Sequence, residues 1–216
     1  MENAGNNLTF DQVLQQYLST QATKPYFVQI GAFDGVSGDP LFPWVKQGKL
    51  AGCLIEPQAD AFERLQANYA GVDGVAFKRA AIGPQAGNST LFRIRPGSIG
   101  PEWLFQLASF DRSILLRHAP FVPGLEQMII TETVPTITVE QLLAELPARP
   151  NVLVIDTEGY DFELIKLWNV PRRKPEIILY EHKHLTTADQ AACRQHLIEN
   201  GYRVHPLDQD TVATLV

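Results

Sequence analysis

The chain has 216 residues, a net charge of −6, 45% hydrophobic residues and 19% charged residues. That length suits one α/β domain, and a chain this apolar buries roughly 70% of its unfolded surface, which excludes global disorder. The acidic balance and the lack of a long basic run argue against a nucleic-acid backbone or an anionic membrane as partner, and leave neutral or cationic ligands open.

Residues 1–7 carry neither a basic start nor an apolar stretch, and no run of about 18 apolar residues occurs anywhere, so a cytoplasmic soluble protein is expected. Without a secretory route the triplets beginning at Asn7 and Asn88 have no meaning as glycosylation sites. Cys53 and Cys193 are too few and too far apart for a zinc site or a disulfide framework and read as buried thiols.

Thr9 with Gln12 forms a capping-box pattern, and Val13, Leu14, Tyr17 and Leu18 recur at helical spacing, which predicts a helix over about residues 10–19 in an N-terminal extension of residues 1–25. Tyr26 to Ile30 and Ala51 to Ile55 read as buried parallel strands. The first stops at Gly31, and the second stops at Glu56-Pro57 before a helix bearing Phe62, Leu65 and Tyr69 on one face. Strand, glycine turn, helix, strand, helix is βαβ grammar. A third run extends from Val75 through Ile82, and Thr90 to Ile94 alternates as an exposed strand should.

Residues 96–126 break the regular alternation with four prolines, three glycines and an apolar stretch from Trp103 to Leu116, and read as an inserted lid. Strand patterns resume at residues 128–130 and 134–137. A helix capped by Thr138 and Gln141 follows, then the most continuous strand signal, Val152 to Ile155. Leu164, Ile165 and Trp168 mark the next helix, Glu176 to Tyr180 a further strand, and Thr187 and Gln190 open a last helix. Tyr202–His205 and Thr211–Val216 close the chain as two strands.

In an open parallel sheet, ligands bind beyond the carboxyl ends of the strands. Those ends carry Gly31 and Asp34, Glu56, Asp156 and Glu158, and Glu181 and His182. Gly31 and Gly35 let a backbone turn pass close to a ligand, or make a plain tight turn. Glu56, at the next strand end, is placed to accept the two hydrogen bonds of a ribose diol. Asp34 suits either an ammonium group or a helix cap. Asp156 and Glu158 fit a functional pair or an acidic helix start. His182 fits a general base or a structural histidine. Arg112, Arg117 and His118 fit an anion site or a solvated helix face. The chain has no Gly-x-Ser-x-Gly elbow, Walker lysine motif or paired-histidine zinc motif, so hydrolase, nucleoside triphosphatase and zinc-protease readings have no support.

Taken together, the segments Phe27–Gly35, Leu54–Pro57, Ala80–Gly83, Thr136–Leu143, Val154–Asp161 and Ile178–His182 closely resemble the FkbM family of methyltransferases over about residues 26–216. The resemblance implies a class I, Rossmann-like α/β fold: a seven-stranded, mostly parallel sheet with its last strand antiparallel and helices on both faces. It implies S-adenosylmethionine as cofactor and a hydroxyl on a small molecule, sugar or other glycan, or natural product as acceptor. Gly31, Ala32, Asp34 and Gly35 would then surround the methionine moiety, Glu56 the ribose and Ala80-Ala81 the adenine, with Asp156 facing the reacting methyl group. Asp156 or His182 would serve as base.

In the implied sheet order the fourth and fifth strand ends are neighbours, so Asp156, Glu181 and His182 would converge on one divalent cation, with magnesium or manganese suiting that donor set. A metal-free pairing of His182 with Asp156 is the alternative. A nicotinamide oxidoreductase shares the sheet and the ribose acid but wants a fuller glycine cradle for pyrophosphate, and a catalytically inactive nucleoside-binding or interaction module shares everything but turnover. An oligomer is compatible with all of these.

Overall fold

A computed structural model describes residues 8–216. The opening heptapeptide and the start of the N-terminal extension lie outside the described residues. Helix α1 (Phe10–Ser19) begins at Thr9, whose side chain accepts from the Gln12 amide while the Gln12 side chain accepts from the Thr9 amide, so the capping box satisfies two otherwise orphaned donors. Buried Phe10 and Leu14 dock the helix on the main core.

The main sheet has seven strands in the order β10-β11-β9-β8-β1-β2-β3, formed by β1 (Tyr26–Ile30), β2 (Ala51–Ile55), β3 (Val75–Lys78), β8 (Val152–Ile155), β9 (Ile177–Glu181), β10 (Tyr202–Pro206) and β11 (Asp210–Leu215). Only β11 runs against its neighbours, which is the mostly parallel class I methyltransferase arrangement. Side chains alternate between two fully covered faces, so the central strands read as continuous apolar runs. Val28, Ile30, Leu153 and Ile155 point into a core shared with α6 (Val139–Glu145), α7 (Asp161–Trp168) and α8 (Thr187–Glu199). Phe27, Leu54, Val152 and Val154 point the other way, against α1, α2 (Phe42–Lys46) and α3 (Ala59–Asn68). Cys53 and Cys193 are buried free thiols. Among the described residues no helix is long and apolar enough to cross a membrane.

Several boundaries differ from the sequence reading. The run from Val75 to Ile82 splits between two sheets: Ala81–Ile82 (β4) joins a four-stranded sheet ordered β4-β7-β5-β6, with β5 at Gly87–Ile94, β6 at Ala108–Ser109 and β7 at Ile129–Ile137. The segments at 128–130 and 134–137 are one strand, because β7 pairs with β5 without a break from Ile129 to Thr136. The inner half of β5 is buried at Leu91, Arg93 and Ile94 rather than exposed. The last helix is capped by Thr186, not Thr187, its hydroxyl oxygen accepting from the Asp189 amide at 3.1 Å.

Residues 96–126 fold around a small core of their own, Leu104, Leu107, Ile114, Leu115, Val122 and Leu125 against Ile94, built on a 3₁₀ turn (Glu102–Gln106) and helices α4 (Arg112–Leu116) and α5 (Leu125–Met128). Buried Arg93 ties this layer to α3, its guanidinium lying 2.6 Å from Asp60 and 2.8 Å from Glu132.

Candidate functional site

A cavity opens at the carboxyl ends of β1, β2 and β8, walled on its far side by Gln106 and Ala108–Phe110 of the insert. Gly31, Ala32, Glu56, Ala80, Ala81 and Asp156 all line it. Gly31 has φ +84°, and a Cβ there would lie 1.7 Å from the carbonyl oxygen of Asp156, so only glycine lets the β1 turn close against the end of β8.

Glu56 is buried at the β2 end. One carboxylate oxygen accepts from the Phe33 amide and the other from the Gln58 amide, both at 2.8 Å. Burial pushes its carboxyl up to about 7 despite those bonds. Beside it the side-chain oxygens of Gln29 and Gln58 are buried without a hydrogen-bond partner on the cavity wall, where they await donors.

Asp156 is exposed by area yet closely ringed by protein, because the surface it exposes is cavity wall. That crowding, with the carboxylates of Glu158, Asp161, Asp210 and Glu56, holds its carboxyl well above the usual range. Asp161 is a tether rather than a cavity group. It accepts from the Thr157 hydroxyl at 3.0 Å and the Glu181 amide at 3.2 Å, joining the start of α7 to the end of β9.

Three expected residues are placed otherwise. Asp34 is not on the cavity wall, and it caps no helix either: its carboxylate accepts from the Val36 and Ser37 amides and the Ser37 hydroxyl at 2.8–3.0 Å, closing a turn in the loop before α2, whose N-cap is Leu41. Gly35 serves packing, since a Cβ there would strike Leu65 and Tyr69 of the α3 region at 2.4 and 2.6 Å. His182 lies outside the cavity lining with Nδ1 3.0 Å from the Thr211 hydroxyl, so it is not placed to act as base at Asp156.

The expected ligand set of Asp156, Glu181 and His182 does not form either. Among the described residues the ligand atoms that converge belong to Glu158, Glu181 and His184. His184, two residues further on, turns back beneath the β8 end, whereas His182 faces β11. In the insert, Arg112 pairs with Glu126 and Arg117 donates to the His184 carbonyl, so neither is held free for an anion.

Sequence reasoning missed Asp39, Gln58 and Asp210, all on the cavity wall. Asp39 accepts from Leu41, Phe42 and Gln29, and its place between Gly38 and Pro40 was a readable turn signal. Asp210 had no local signal: it reaches the site because β11 sets it opposite Glu181. The insert meets the site through Ser109, whose hydroxyl donates to the Glu158 carbonyl at 2.9 Å, and through Phe110, edge-on to Tyr160.

A family model described as the methyltransferase FkbM domain matches residues 29–204. No curated protein matches the chain. Among solved structures, a methyltransferase FkbM from Methylobacillus flagellatus KT matches with a TM-score of 0.56 at 14% identity, over 88% of this chain and 43% of its own. The METTL16 methyltransferase domain matches at 0.52 and 10% identity, over 96% of this chain and 66% of its own. The human methyltransferase 10 domain containing protein matches at 0.51 and 10% identity, over 96% and 80%. This chain spans less than half the length of the FkbM structure, and likeness at these identities speaks for the fold.

Proposed function

The chain belongs to the FkbM methyltransferase family, and on that premise we propose that it is an S-adenosylmethionine-dependent O-methyltransferase acting on a hydroxyl of a neutral small molecule, sugar or natural product. One observation carries the cofactor. Asp39, Glu56, Asp156, Glu158 and Asp210 line the cavity, and no lysine or arginine does among the described residues. Such a wall favours a cofactor with a sulfonium and an ammonium group and opposes the two negative charges of a dinucleotide pyrophosphate. The orphaned oxygens of Gln29 and Gln58, the bare Gly31 turn and the inward Glu56 carboxylate fit the amino, backbone-close and ribose portions of such a ligand.

When bound, S-adenosylmethionine supplies an electrophilic methyl group. The protein's part is to align and to move a proton. Glu56, held by two amides, fixes the ribose end. The insert wall at Ala108–Phe110 covers the other side and confines the acceptor between itself and Asp156. Asp156 takes the hydroxyl proton, since a carboxylate whose pKa is raised is a stronger base than an ordinary surface one. The same acidic wall selects against phosphorylated acceptors.

Calorimetric titration with S-adenosylhomocysteine, S-adenosylmethionine and NAD tests the cofactor. One-to-one binding of the sulfur ligands and none of NAD is expected, and tight NAD binding without response to either sulfur ligand overturns the reading. Methyl transfer is then followed as S-adenosylhomocysteine release in the presence of neutral oligosaccharides and polyols.

A further inference from the structure

We propose that Glu158, Glu181 and His184 form a binding site for one divalent first-row transition-metal ion next to the cavity, Glu158 being on the cavity wall. One ligand atom from each lies within 4.8 Å of the others. His184 Nε2 is 3.0 Å from Glu158 Oε2 and 3.7 Å from Glu181 Oε1. Two ligand atoms each about 2.1 Å from one ion stand at most about 4.2 Å apart, and both separations lie within that reach, at ligand–metal–ligand angles of about 90° and about 120°.

The 3.0 Å contact is not a hydrogen bond, for Glu158 Oε2 has no donor aligned on it. With its proton on Nδ1, His184 would instead present the Nε2 lone pair to the space between the carboxylates. A second observation concerns the Glu181 carboxylate itself. The Glu181 side chain is only 9% exposed, and its Oε2 is buried with no partner. A buried carboxylate oxygen left unsatisfied is costly unless a proton or a cation meets it.

The surroundings supply anions but little cation. Asp156 and Asp161 add to the negative field at Glu181, Lys183 is exposed, and the Arg117 guanidinium donates to a carbonyl. The ligands are also held in place. Glu158 has φ +52°, a left-handed conformation rare for glutamate, and its carbonyl accepts from Ser109. The His184 carbonyl accepts from Arg117 at 3.0 Å. The imidazole narrows the magnesium or manganese expected from the sequence to a transition-metal ion such as manganese, iron or zinc, because magnesium prefers oxygen ligands alone. Three protein ligands leave further positions for water.

The test uses the full chain stripped with chelator and titrated with Mn²⁺, followed by calorimetry and electron paramagnetic resonance. One ion per chain is expected, with nitrogen modulation from one imidazole in the wild-type spectrum, a readout that needs no variant. Glu181→Gln and His184→Gln weaken binding at least tenfold, with folding checked by circular dichroism, whereas Asp156→Asn and His182→Gln change it less than threefold. Stoichiometric Zn²⁺ binding with the same losses equally supports the site. No stoichiometric uptake of either ion, a manganese spectrum without nitrogen coupling, or binding lost in Asp156→Asn and His182→Gln but kept in His184→Gln overturns it. S-adenosylhomocysteine titration of the stripped chain reports separately on the cofactor reading, which this proposal does not require.

Discussion

Gly31→Ala tests whether the β1 turn and the end of β8 form one rigid wall. A Cβ at Gly31 would lie 1.7 Å from the Asp156 carbonyl oxygen and 2.8 Å from its carbon, where ordinary contact begins at 3.4 Å. The carbonyl cannot simply swing away. The Asp156 amide donates to Ile30 at 2.9 Å, and β8 is paired in register with β1 on one side and β9 on the other.

Two effects therefore add. Alanine at φ +84° costs ~1–2 kcal/mol as a left-handed L-residue. Forcing the two backbones apart costs a further ~1–3 kcal/mol of overpacking. The total, ~2–5 kcal/mol, lowers Tm by roughly 4–20 °C in a chain of this size. Gly48→Ala is the control: its φ is +69° and nothing lies within 4 Å of the added carbon, so only the conformational cost applies. Urea and thermal denaturation give the difference between the two variants, and calorimetry with S-adenosylhomocysteine shows whether affinity falls in Gly31→Ala alone. Equal stability losses in both variants would refute the close-approach argument.

Glu56→Gln keeps the shape but sets an amide donor against a backbone amide, so S-adenosylhomocysteine affinity is expected to fall roughly 10–100-fold, the loss of ~1.5–3 kcal/mol in charge-assisted bonds. Unchanged affinity with a lowered Tm would make Glu56 a brace for Phe33 and Gln58 only. Burial raises the Glu56 carboxyl from 4.5 to about 7 and that of Asp39 from 3.8 to about 6, so the folded state holds protons that the unfolded state has released. Their contribution is full below about pH 4 and is lost as pH rises through 6–7, on the order of 3 kcal/mol for Glu56. Urea unfolding of the ligand-free chain between pH 4.5 and 8 should show this decline, and Glu56→Gln should flatten it. An identical slope in the variant counts against a proton on Glu56. Leu104→Ala, at a fully buried site in the insert core, is expected to cost ~2–5 kcal/mol and to speed hydrogen exchange across residues 96–126 before the main sheet. Exchange at residues 106–110 should slow on saturation with S-adenosylhomocysteine, and ligand-independent protection there would mean a fixed wall.

The sequence by itself determined the local pieces: the capping boxes at Thr9 and Thr138, the apolar runs that became β1, β2, β8 and β9, and the acids placed at their carboxyl ends. These follow from short-range rules, since hydrogen bonding within a turn and alternation along a strand are set by neighbouring residues. Glu56 and Asp156 were legible for the same reason, because a parallel strand's end is where its apolar run stops. What only the tertiary structure decided was which groups meet. Asp34 and His182 had the right chemistry, but their polar atoms are taken by Ser37 and Thr211. Asp210 enters the site through the register of β11 against β9, and the run from Val75 to Ile82 divides because Ala81–Ile82 pairs with β7 instead of continuing β3. Whether His182 or His184 faces Glu158 rests on how the chain turns after β9 and on the hydrogen bond from Arg117. Partners distant in sequence leave no periodic trace in it, and a two-residue change of direction is enough to move a ligand from one site to another.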